Sequence, residues 1–392
     1  MIAGTPLRLR CRRLVTASGV LDDAVLVIEG PMITAVETAT DDTVHAAGDA
    51  ERIDGWVVPG FVDTHCHGGG GATYATTEAD EARKARQFHR EHGTTTAIAS
   101  LVSADLDTLA AQIETLRPLV ATGEFAGIHL EGPFLSSHHR GAHDPALLRD
   151  PDPAVVTGLI DRAGGVVEMI TLAPERPGGL AAIEAMVARG VIAAIGHTDA
   201  DDSQTAAALD AGVTVVTHLF NAMPGLHHRE PGPVPRLLSD PRAMIELIAD
   251  GFHLHPQVIA VAVAAAGADR VSLVTDAMAA AGMPDGDFVL GGLRVAVRDA
   301  QARLLESDGS LGSIAGSTLT MDAAFARLVD LGQPIERVAA MAATTPARWH
   351  KLDEVGEVRP GRRADLCVVN DRGRLQRVMQ SGSWVASRAT EG

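Results

Sequence analysis

The segment VVPGFVDTHCHGGGG (57–71) opens with an apolar run, places two histidines around a cysteine and ends in four glycines. The apolar run predicts a buried strand over 57–65. Because successive side chains of a strand point to opposite faces, His65 and His67 share one face and Cys66 lies on the other. The spacing favours a metal site held by two imidazoles. For this segment alone, a glycine turn with incidental histidines is the alternative.

Seven further strand-like runs follow, and Ala-rich helical stretches separate them. The runs cover 94–100, 125–132, 166–173, 191–198, 213–220, 243–250 and 271–278. Helices are predicted over 78–92, 104–121, 153–163, 179–189, 201–211 and 256–267, with a last pair over 319–331 and 335–343. Eight alternating repeats predict an α/β fold closed into a (β/α)8 TIM-type barrel. The segment 288–306 predicts a hairpin inserted after the eighth strand.

The two ends of the chain differ from its middle, because both consist of short strand-like runs. We therefore expect a small β-sandwich domain built from residues 1–56 and 350–392, with the barrel over 57–349.

Composition excludes several functional classes. The net charge of −17 over 392 residues argues against binding nucleic acid, which requires a basic face. An anionic substrate would need a local cluster of positive charge. The three cysteines are too few for a disulfide framework. No run is long and apolar enough to span a membrane, and no signal peptide is evident, so a cytoplasmic protein without membrane contact is expected.

Polar side chains recur where the predicted strands end. They are His65, His67, Glu131, His197, His218, Asp250, His253 and Asp276. In a barrel of this class the carboxyl ends of the strands meet at one mouth, where the chemistry takes place. Imidazole and carboxylate groups bind Zn²⁺ or Fe²⁺. Each histidine alone reads more simply as a surface residue, but that reading gives no reason for all of them to fall at the same end of different strands.

Several longer motifs resemble the amidohydrolase superfamily and, within it, the family of N-acetylglucosamine-6-phosphate deacetylases. They are PGFVDTHCHG (59–68), GIHLEGPFLS (127–136), RGAH (140–143), IGHTDA (195–200), THLFNAMPGLHHREPG (217–232), DGFHLHP (250–256), LVTDAM (273–278) and IAGSTLTMD (314–322). Many amidohydrolases carry a carboxylated lysine after the fourth strand, but Pro174 and Glu175 stand there in this chain. In the deacetylase family a glutamate on strand three, here Glu131, takes the place of that lysine.

The resemblance implies a metal-dependent deacetylase. Glu131, His197 and His218 would hold the main divalent ion. His65 and His67 would hold a second, with Glu131 bridging the two. Zn²⁺ is the expected metal, Fe, Co, Mn and Cd are alternatives, and one or two ions per subunit are expected.

The resemblance also implies catalytic and substrate-binding residues. Asp276 would be the general base, and His143, or a metal ion, would stabilise the charge on the scissile carbonyl. The expected substrate contacts are Ala142, His143, Asn221, Ala222, His228, Arg229, Asp250, His253, Ile314, Ala315 and Gly316. The substrate would be a phosphorylated N-acetyl amino sugar, and the protein a homodimer in which Arg229 reaches the neighbouring active site.

Simpler readings remain for three of these features. Asp276 could cap the next helix, His143 could be a solvated loop residue, and HHRE (227–230) could be a charged surface loop. The rival functions are another amidohydrolase activity, on a different N-acyl sugar or a cyclic amide, and a non-catalytic scaffold with the same fold.

Overall fold

The computed structural model describes residues 6–38 and 50–386. The chain forms two compact units. The first comprises the residues up to Asp63, then Gln87–Thr96 and the residues from Thr320 onward, and the second comprises Thr64–Arg86 and Ala97–Leu319. Parts of the predicted terminal domain, residues 1–5, 39–49 and 387–392, lie outside the described residues. The predicted domain boundaries stay a prediction.

Strands and helices are numbered along the chain. The strands are β1 (Leu7–Thr16), β2 (Gly19–Glu29), β3 (Met32–Thr38), β4 (Glu51–Pro59), β5 (Phe61–Cys66), β6 (Gly68–Gly69), β7 (Ala72–Thr73), β8 (Thr94–Val102), β9 (Gly127–Glu131), β10 (Val167–Leu172), β11 (Ile192–Ile195), β12 (Val215–Val216), β13 (Met244–Ile248), β14 (Val271–Val274), β15 (Gly286–Leu290), β16 (Leu293–Arg298), β17 (Gln301–Leu305), β18 (Leu311–Ile314), β19 (Leu366–Val369), β20 (Leu375–Gln380) and β21 (Ser383–Trp384). The helices are α1 (Ala79–Glu91), α2 (Leu106–Ala121), α3 (Pro153–Ala163), α4 (Gly179–Val187), α5 (Asp202–Ala211), α6 (Val234–Ser239), α7 (Pro256–Ala266), α8 (Met321–Asp330), α9 (Ile335–Ala339) and α10 (Thr345–Trp349). A 3-10 turn spans Pro145–Leu147, and a π-helical turn spans Ala340–Thr344.

Both ends of the chain contribute to one seven-stranded sheet in the first unit. Its order is β21-β20-β19-β4-β1-β2-β3. The pairing of β1 with β4 is parallel, and β4 pairs antiparallel with β19. Alternate side chains of these strands, among them Leu9, Leu26 and Leu366, are buried in a shared core. The two termini therefore fold together, as their similar strand patterns predicted.

The second unit is built around an eight-stranded parallel sheet in the order β14-β13-β12-β11-β10-β9-β8-β5. Backbone hydrogen bonds connect its two ends. Asp276 N donates to His65 O at 2.8 Å, and His67 N donates to Ala277 O at 2.8 Å. These bonds close the sheet into a barrel, so the (β/α)8 fold class is confirmed. Strands β8, β9 and β13 are buried along their whole length, as expected for a parallel sheet covered on both faces.

Local sequence explains where the helices begin and end. Helix α5 starts with a capping box, in which Asp201 accepts from the backbone N–H of Gln204 and the Gln204 side chain accepts from the backbone N–H of Asp201. Asp105 and Asp152 cap α2 and α3 in the same acceptor role. Among the described residues, no helix is long and apolar enough to cross a membrane.

Among the differences between the structure and the predicted elements are helices α6 and α10, which were not predicted, and the predicted helix 335–343, of which α9 covers only Ile335–Ala339. The predicted strand 57–65 covers the end of β4 and most of β5, which belong to different sheets and are separated by Gly60. The predicted hairpin 288–306 is part of a four-stranded antiparallel sheet, β15 to β18. The sixth barrel strand is only two residues long, because its chain turns at once into the loop that carries His218.

Candidate active site

Three site residues lie at equivalent places in the barrel. His197, His218 and Asp276 each follow the last residue of their strand, β11, β12 or β14, by two positions. Each has a left-handed backbone, with φ of 48°, 31° and 48°. Such conformations are uncommon outside glycine and persist where the surrounding structure enforces them, typically at functional sites. Here they end the strands and leave the three side chains at the carboxyl mouth of the barrel.

Glu131, at the end of β9, is the centre of the cluster. Its Oε1 lies 3.1 Å from His197 Nε2 and 3.0 Å from His218 Nε2, and the two imidazole nitrogens are 3.0 Å apart. All three side chains are about 95% buried. The structure thus brings together three residues that are far apart in the sequence, with their ligand atoms in mutual contact.

His65 and His67 meet the same carboxylate from the other side. Their Nε2 atoms are 3.1 Å apart, and His67 Nε2 lies 3.3 Å from Glu131 Oε2. Asp276 Oδ1 lies 3.1 Å from His67 Nε2 and 3.5 Å from His65 Nε2. Glu131 Oε1 thus faces His197, His218 and, at 3.5 Å, His65 Nε2, whereas Oε2 faces His67.

Hydrogen bonds at Nδ1 orient the imidazole rings of His67 and His197 so that Nε2 points toward the cluster. His67 Nδ1 lies 3.2 Å from the carbonyl oxygen of Ser100, and His197 Nδ1 lies 2.9 Å from the carbonyl oxygen of His139. A carbonyl oxygen only accepts, so each Nδ1 carries the proton. In the neutral ring, Nε2 then presents a lone pair to the cluster, which is the arrangement of a metal-ligating histidine.

The donor set fits a metal ion. Ligand atoms about 2.0–2.1 Å from a tetrahedral ion would be roughly 3.3 Å apart, close to the separations among Glu131, His197 and His218. The Nε2 atoms of His197 and His218 lie close to each other and to Glu131 Oε1. A cation between them would bind the electron pairs of these three atoms. His218 Nδ1 is buried without a hydrogen-bond partner among the described residues.

The carboxylates hold negative charge in this buried site. Burial raises the pKa of Asp276, but His65 and His67 outweigh it and lower the value to about 2. Burial also raises the pKa of Glu131, and the surrounding histidines again lower it well below its usual range. Conversely, burial lowers the pKa of His67, while Asp276 and Glu131 raise it to about 8. The site therefore attracts compensating positive charge, from protons or from a metal ion.

His143 lies beside this cluster. Its Nε2 is 3.4 Å from Glu131 Oε2, and its Nδ1 is 2.8 Å from the Ser103 hydroxyl. The backbone N–H of Ser103 donates to Nδ1 at 3.4 Å, so Nδ1 accepts and Nε2 carries the proton. Burial lowers the pKa of His143 to about 4. The ring is therefore neutral at physiological pH and presents an N–H donor to the site.

A cleft of about 410 Å³ opens over the cluster, large enough for a small polar ligand. Its lining includes these predicted residues: His67, Glu131, Ala142, His143, His197, His218, Asn221, Ala222, His253, Ile314, Gly316 and Asp276. Gly141 and Gly316 have left-handed backbones. A Cβ on Gly316 would lie 3.0 Å from Asp276 O, so glycine there permits close packing around the site.

The remaining predicted residues lie outside the lining. His65 is fully buried beneath it. Asp250 contacts His253, which does line the cleft: Asp250 Oδ2 lies 2.7 Å from His253 Nδ1. Ala315 packs in the core of the four-stranded sheet. His228 and Arg229 are exposed farther along the loop after β12, and neither side chain is among the lining residues of the cleft.

Sequence reasoning missed several residues that contribute to the site. His138 and His139 line the cleft, and both contact Asp199, at 3.2 Å and 3.0 Å. Their signal was the pair His138-His139 between the quoted motifs 127–136 and 140–143. Ser103, the hydrogen-bond partner of His143, follows β8 and carried no signal of its own.

Comparison with known proteins identifies the relatives. The Amidohydrolase family model matches residues 56–385. The N-acetylgalactosamine-6-phosphate deacetylase of Escherichia coli O157:H7 is 36% identical over 380 residues, 95% of this chain and 98% of that protein. The N-acetylglucosamine-6-phosphate deacetylase of Lysinibacillus sphaericus is 34% identical over 351 residues, 86% of this chain and 88% of that protein.

Solved structures of deacetylases are also similar to this chain over most of its length. The N-acetyl-D-glucosamine-6-phosphate deacetylase of Mycobacterium smegmatis, as a mutant in complex with N-acetyl-D-glucosamine-6-phosphate, superposes with a TM-score of 0.92. It is 41% identical, and the match covers 98% of this chain and all of that chain. The enzyme of the same name from Thermotoga maritima has a TM-score of 0.85 at 28% identity, covering 96% of this chain and 98% of that chain.

Proposed function

The chain belongs to the amidohydrolase family, and from this membership we propose that it hydrolyses N-acetylglucosamine 6-phosphate to glucosamine 6-phosphate and acetate. The reaction consumes one water and breaks the amide C–N bond. The observation that carries the proposal is the contact of Glu131 with both His197 and His218, beside an ionised Asp276.

Glu131, His197 and His218 would hold the main divalent ion, and His65 with His67 would hold a second beside the same carboxylate. Zn²⁺ suits this set of imidazole and carboxylate donors best. A bound ion of this kind supplies Lewis acidity and lowers the pKa of water toward neutrality. One or two ions per subunit, and Fe, Co, Mn or Cd in place of Zn, are the variants that metal analysis would distinguish.

In the proposed reaction Asp276 acts as the general base. It would accept a proton from the water that attacks the acetyl carbon, and then return a proton to the amine nitrogen as the C–N bond breaks. The second transfer is needed because an amine leaves poorly as an anion. The lowered pKa of Asp276 keeps its carboxylate ionised, and therefore able to accept, throughout the neutral range.

His143 would donate its Nε2 proton as a hydrogen bond to the carbonyl oxygen, where negative charge develops during attack. Its low pKa, a consequence of burial, and the Ser103 N–H bond to Nδ1 both support a neutral ring with a proton on Nε2. Nδ1 is occupied by the Ser103 N–H bond, so Nε2–H is the group of His143 that can donate to the carbonyl oxygen.

The phosphate needs positive charge that the cleft of one subunit supplies only through histidines. No lysine or arginine is among the lining residues in the described part of the chain. Arg229 is exposed, and we propose that a homodimer brings Arg229 of the partner subunit to the phosphate, which an arginine binds in bidentate fashion. His253, Asn221 and the backbone of Ala222 would complete the contacts. Catalysis in amino-sugar recycling and a cytoplasmic location stay predictions.

The test is acetate release from a matched set of sugars. The proposal predicts that N-acetylglucosamine 6-phosphate is hydrolysed with a kcat/KM at least about 100-fold above that of unphosphorylated N-acetylglucosamine, a ratio that loss of a charged phosphate contact explains. Equal rates on both sugars would contradict the phosphate assignment.

A second candidate function is deacetylation of N-acetylgalactosamine 6-phosphate, because the 36%-identical Escherichia coli relative has that activity by name. The two substrates differ only in the configuration at one hydroxyl. Measurement of kcat/KM for both sugar phosphates decides between the two candidate functions. The sugar phosphate with the larger kcat/KM is the preferred substrate.

A further inference from the structure

Glu246 is a fully buried carboxylate that the proposed reaction does not use. It lies in the middle of β13, on the barrel interior, and none of its side chain is exposed. An ionised carboxylate is costly to bury unless hydrogen bonds or charges compensate it. Its contacts with neighbouring residues therefore point to a specific role.

The contacts of Glu246 all lead to the cluster described above. Its Oε2 lies 3.1 Å from His65 Nδ1 and accepts from the backbone N–H of His218 at 3.4 Å. Its Oε1 accepts from the Thr64 hydroxyl at 3.2 Å. Its own carbonyl accepts from the backbone N–H of Leu219 at 2.9 Å. One residue thus connects a proposed ligand on β5 with the left-handed turn that carries another.

The contact with Glu246 indicates where His65 carries its proton. A carboxylate oxygen accepts from a ring N–H, so Nδ1 of His65 is the nitrogen that donates to Glu246. With one proton on the ring, an unprotonated Nε2 faces His67, 3.1 Å away, and also Glu131 and Asp276. His67 and His197 obtain the same tautomer from backbone carbonyls, whereas the partner of His65 is a buried side-chain carboxylate.

We propose that Glu246 is a positioning residue that holds His65 in the tautomer needed to bind a metal ion and ties the His218 turn to the same ion site. The inference rests on the proposed function, because it assumes that His65 and His218 are ligands. Groups of this kind around metal-binding histidines typically contribute 10- to 100-fold in metal affinity.

The test compares zinc affinity in three variants by competition with a chromophoric chelator. Glu246→Met keeps the volume but removes the acceptor, and should weaken zinc binding about 10- to 100-fold. Glu246→Gln keeps an oxygen that can accept from both His65 Nδ1 and His218 N, and should recover much of that loss. Thr64→Val, the matched control, removes only the bond to Oε1 and should bind zinc as the wild type does.

The possible outcomes distinguish failure of the Glu246 inference from failure of the proposed function. A folded Glu246→Met protein with wild-type zinc affinity would overturn the inference alone, and equal losses in the Met and Gln variants would show a role of charge without tautomer control. A wild-type protein that binds no zinc would overturn the proposed function first. If Glu246→Met fails to fold, ¹⁵N-histidine NMR of the zinc-loaded wild type decides: a proton on His65 Nδ1 is expected, and a proton on Nε2 would refute the inference.

Discussion

Replacement of Asp276 with asparagine should remove the general base and leave the site otherwise intact. Asparagine has the same shape and adopts a left-handed backbone readily, which matters because φ at position 276 is 48°. The backbone is also fixed from both sides, since Asp276 N donates to His65 O at 2.8 Å and Ser317 N donates to Asp276 O at 2.7 Å. Alanine would add backbone strain and is the poorer probe.

The expected magnitude follows from the chemistry of proton transfer. A positioned general base contributes typically about 10²- to 10⁴-fold. We expect kcat to fall by at least about 100-fold, equivalent to roughly 2.7 kcal/mol in the activation free energy. Metal content should survive, because Glu131, His197 and His218 do not depend on the charge of Asp276.

The assay is acetate release at saturating substrate, with metal content measured on the same samples. Asp299→Asn is the matched control. Asp299 is exposed on the turn between β16 and β17, outside the site, and its φ of 51° is close to that of Asp276. The control therefore makes the same chemical change at a similar backbone conformation. Near-normal turnover of Asp276→Asn would refute the assignment of the base. Loss of metal together with activity would show that Asp276 serves as a ligand instead.

Three further predictions concern the substrate contacts and the metal. Arg229→Ala should raise KM for the sugar phosphate sharply with little change in kcat, whereas Arg294→Ala, at another exposed arginine, should not; an unchanged KM would exclude Arg229 from phosphate binding. Burial lowers the pKa of His253, but Asp250 outweighs it and raises the pKa above 6.5, so His253 keeps its positive charge to a higher pH than a free imidazole and loses it as the pH rises further. KM should therefore rise with pH on the alkaline side in the wild type and stay flat in His253→Gln; parallel profiles would contradict this. Dialysis against a chelator should abolish activity and lower Tm, and Zn²⁺ should restore both; activity that survives complete removal of metal would argue against a metal-dependent enzyme.

The sequence predicted the barrel because its signal is local and repeated. Each strand-like run is short, apolar and followed by a helical stretch, and the polar residues at the ends of the runs, from Glu131 to Asp276, lie together in the folded barrel. The closure of the sheet, by contrast, depends on hydrogen bonds between His65 and Asp276, which are far apart in sequence. No local pattern encodes that contact.

Other features escaped prediction for physical reasons. A single apolar run, 57–65, was divided between two sheets, since hydrophobicity alone does not show which core a strand joins. Glu246 was missed as a contributor to the site, although a charged residue in the middle of the run AMIELIAD (243–250) was an available signal. In the proposed homodimer the role of Arg229 requires a second subunit, which no single-chain pattern specifies.

The central claim is that Glu131, His197 and His218 share one divalent ion. Anomalous diffraction at the zinc absorption edge, from crystals of protein purified without chelator, tests it most directly. The account predicts a strong anomalous peak about 2 Å from a Glu131 oxygen and from the Nε2 atoms of His197 and His218. A peak elsewhere, or a metal-loaded crystal in which those three side chains bind no ion, would contradict it.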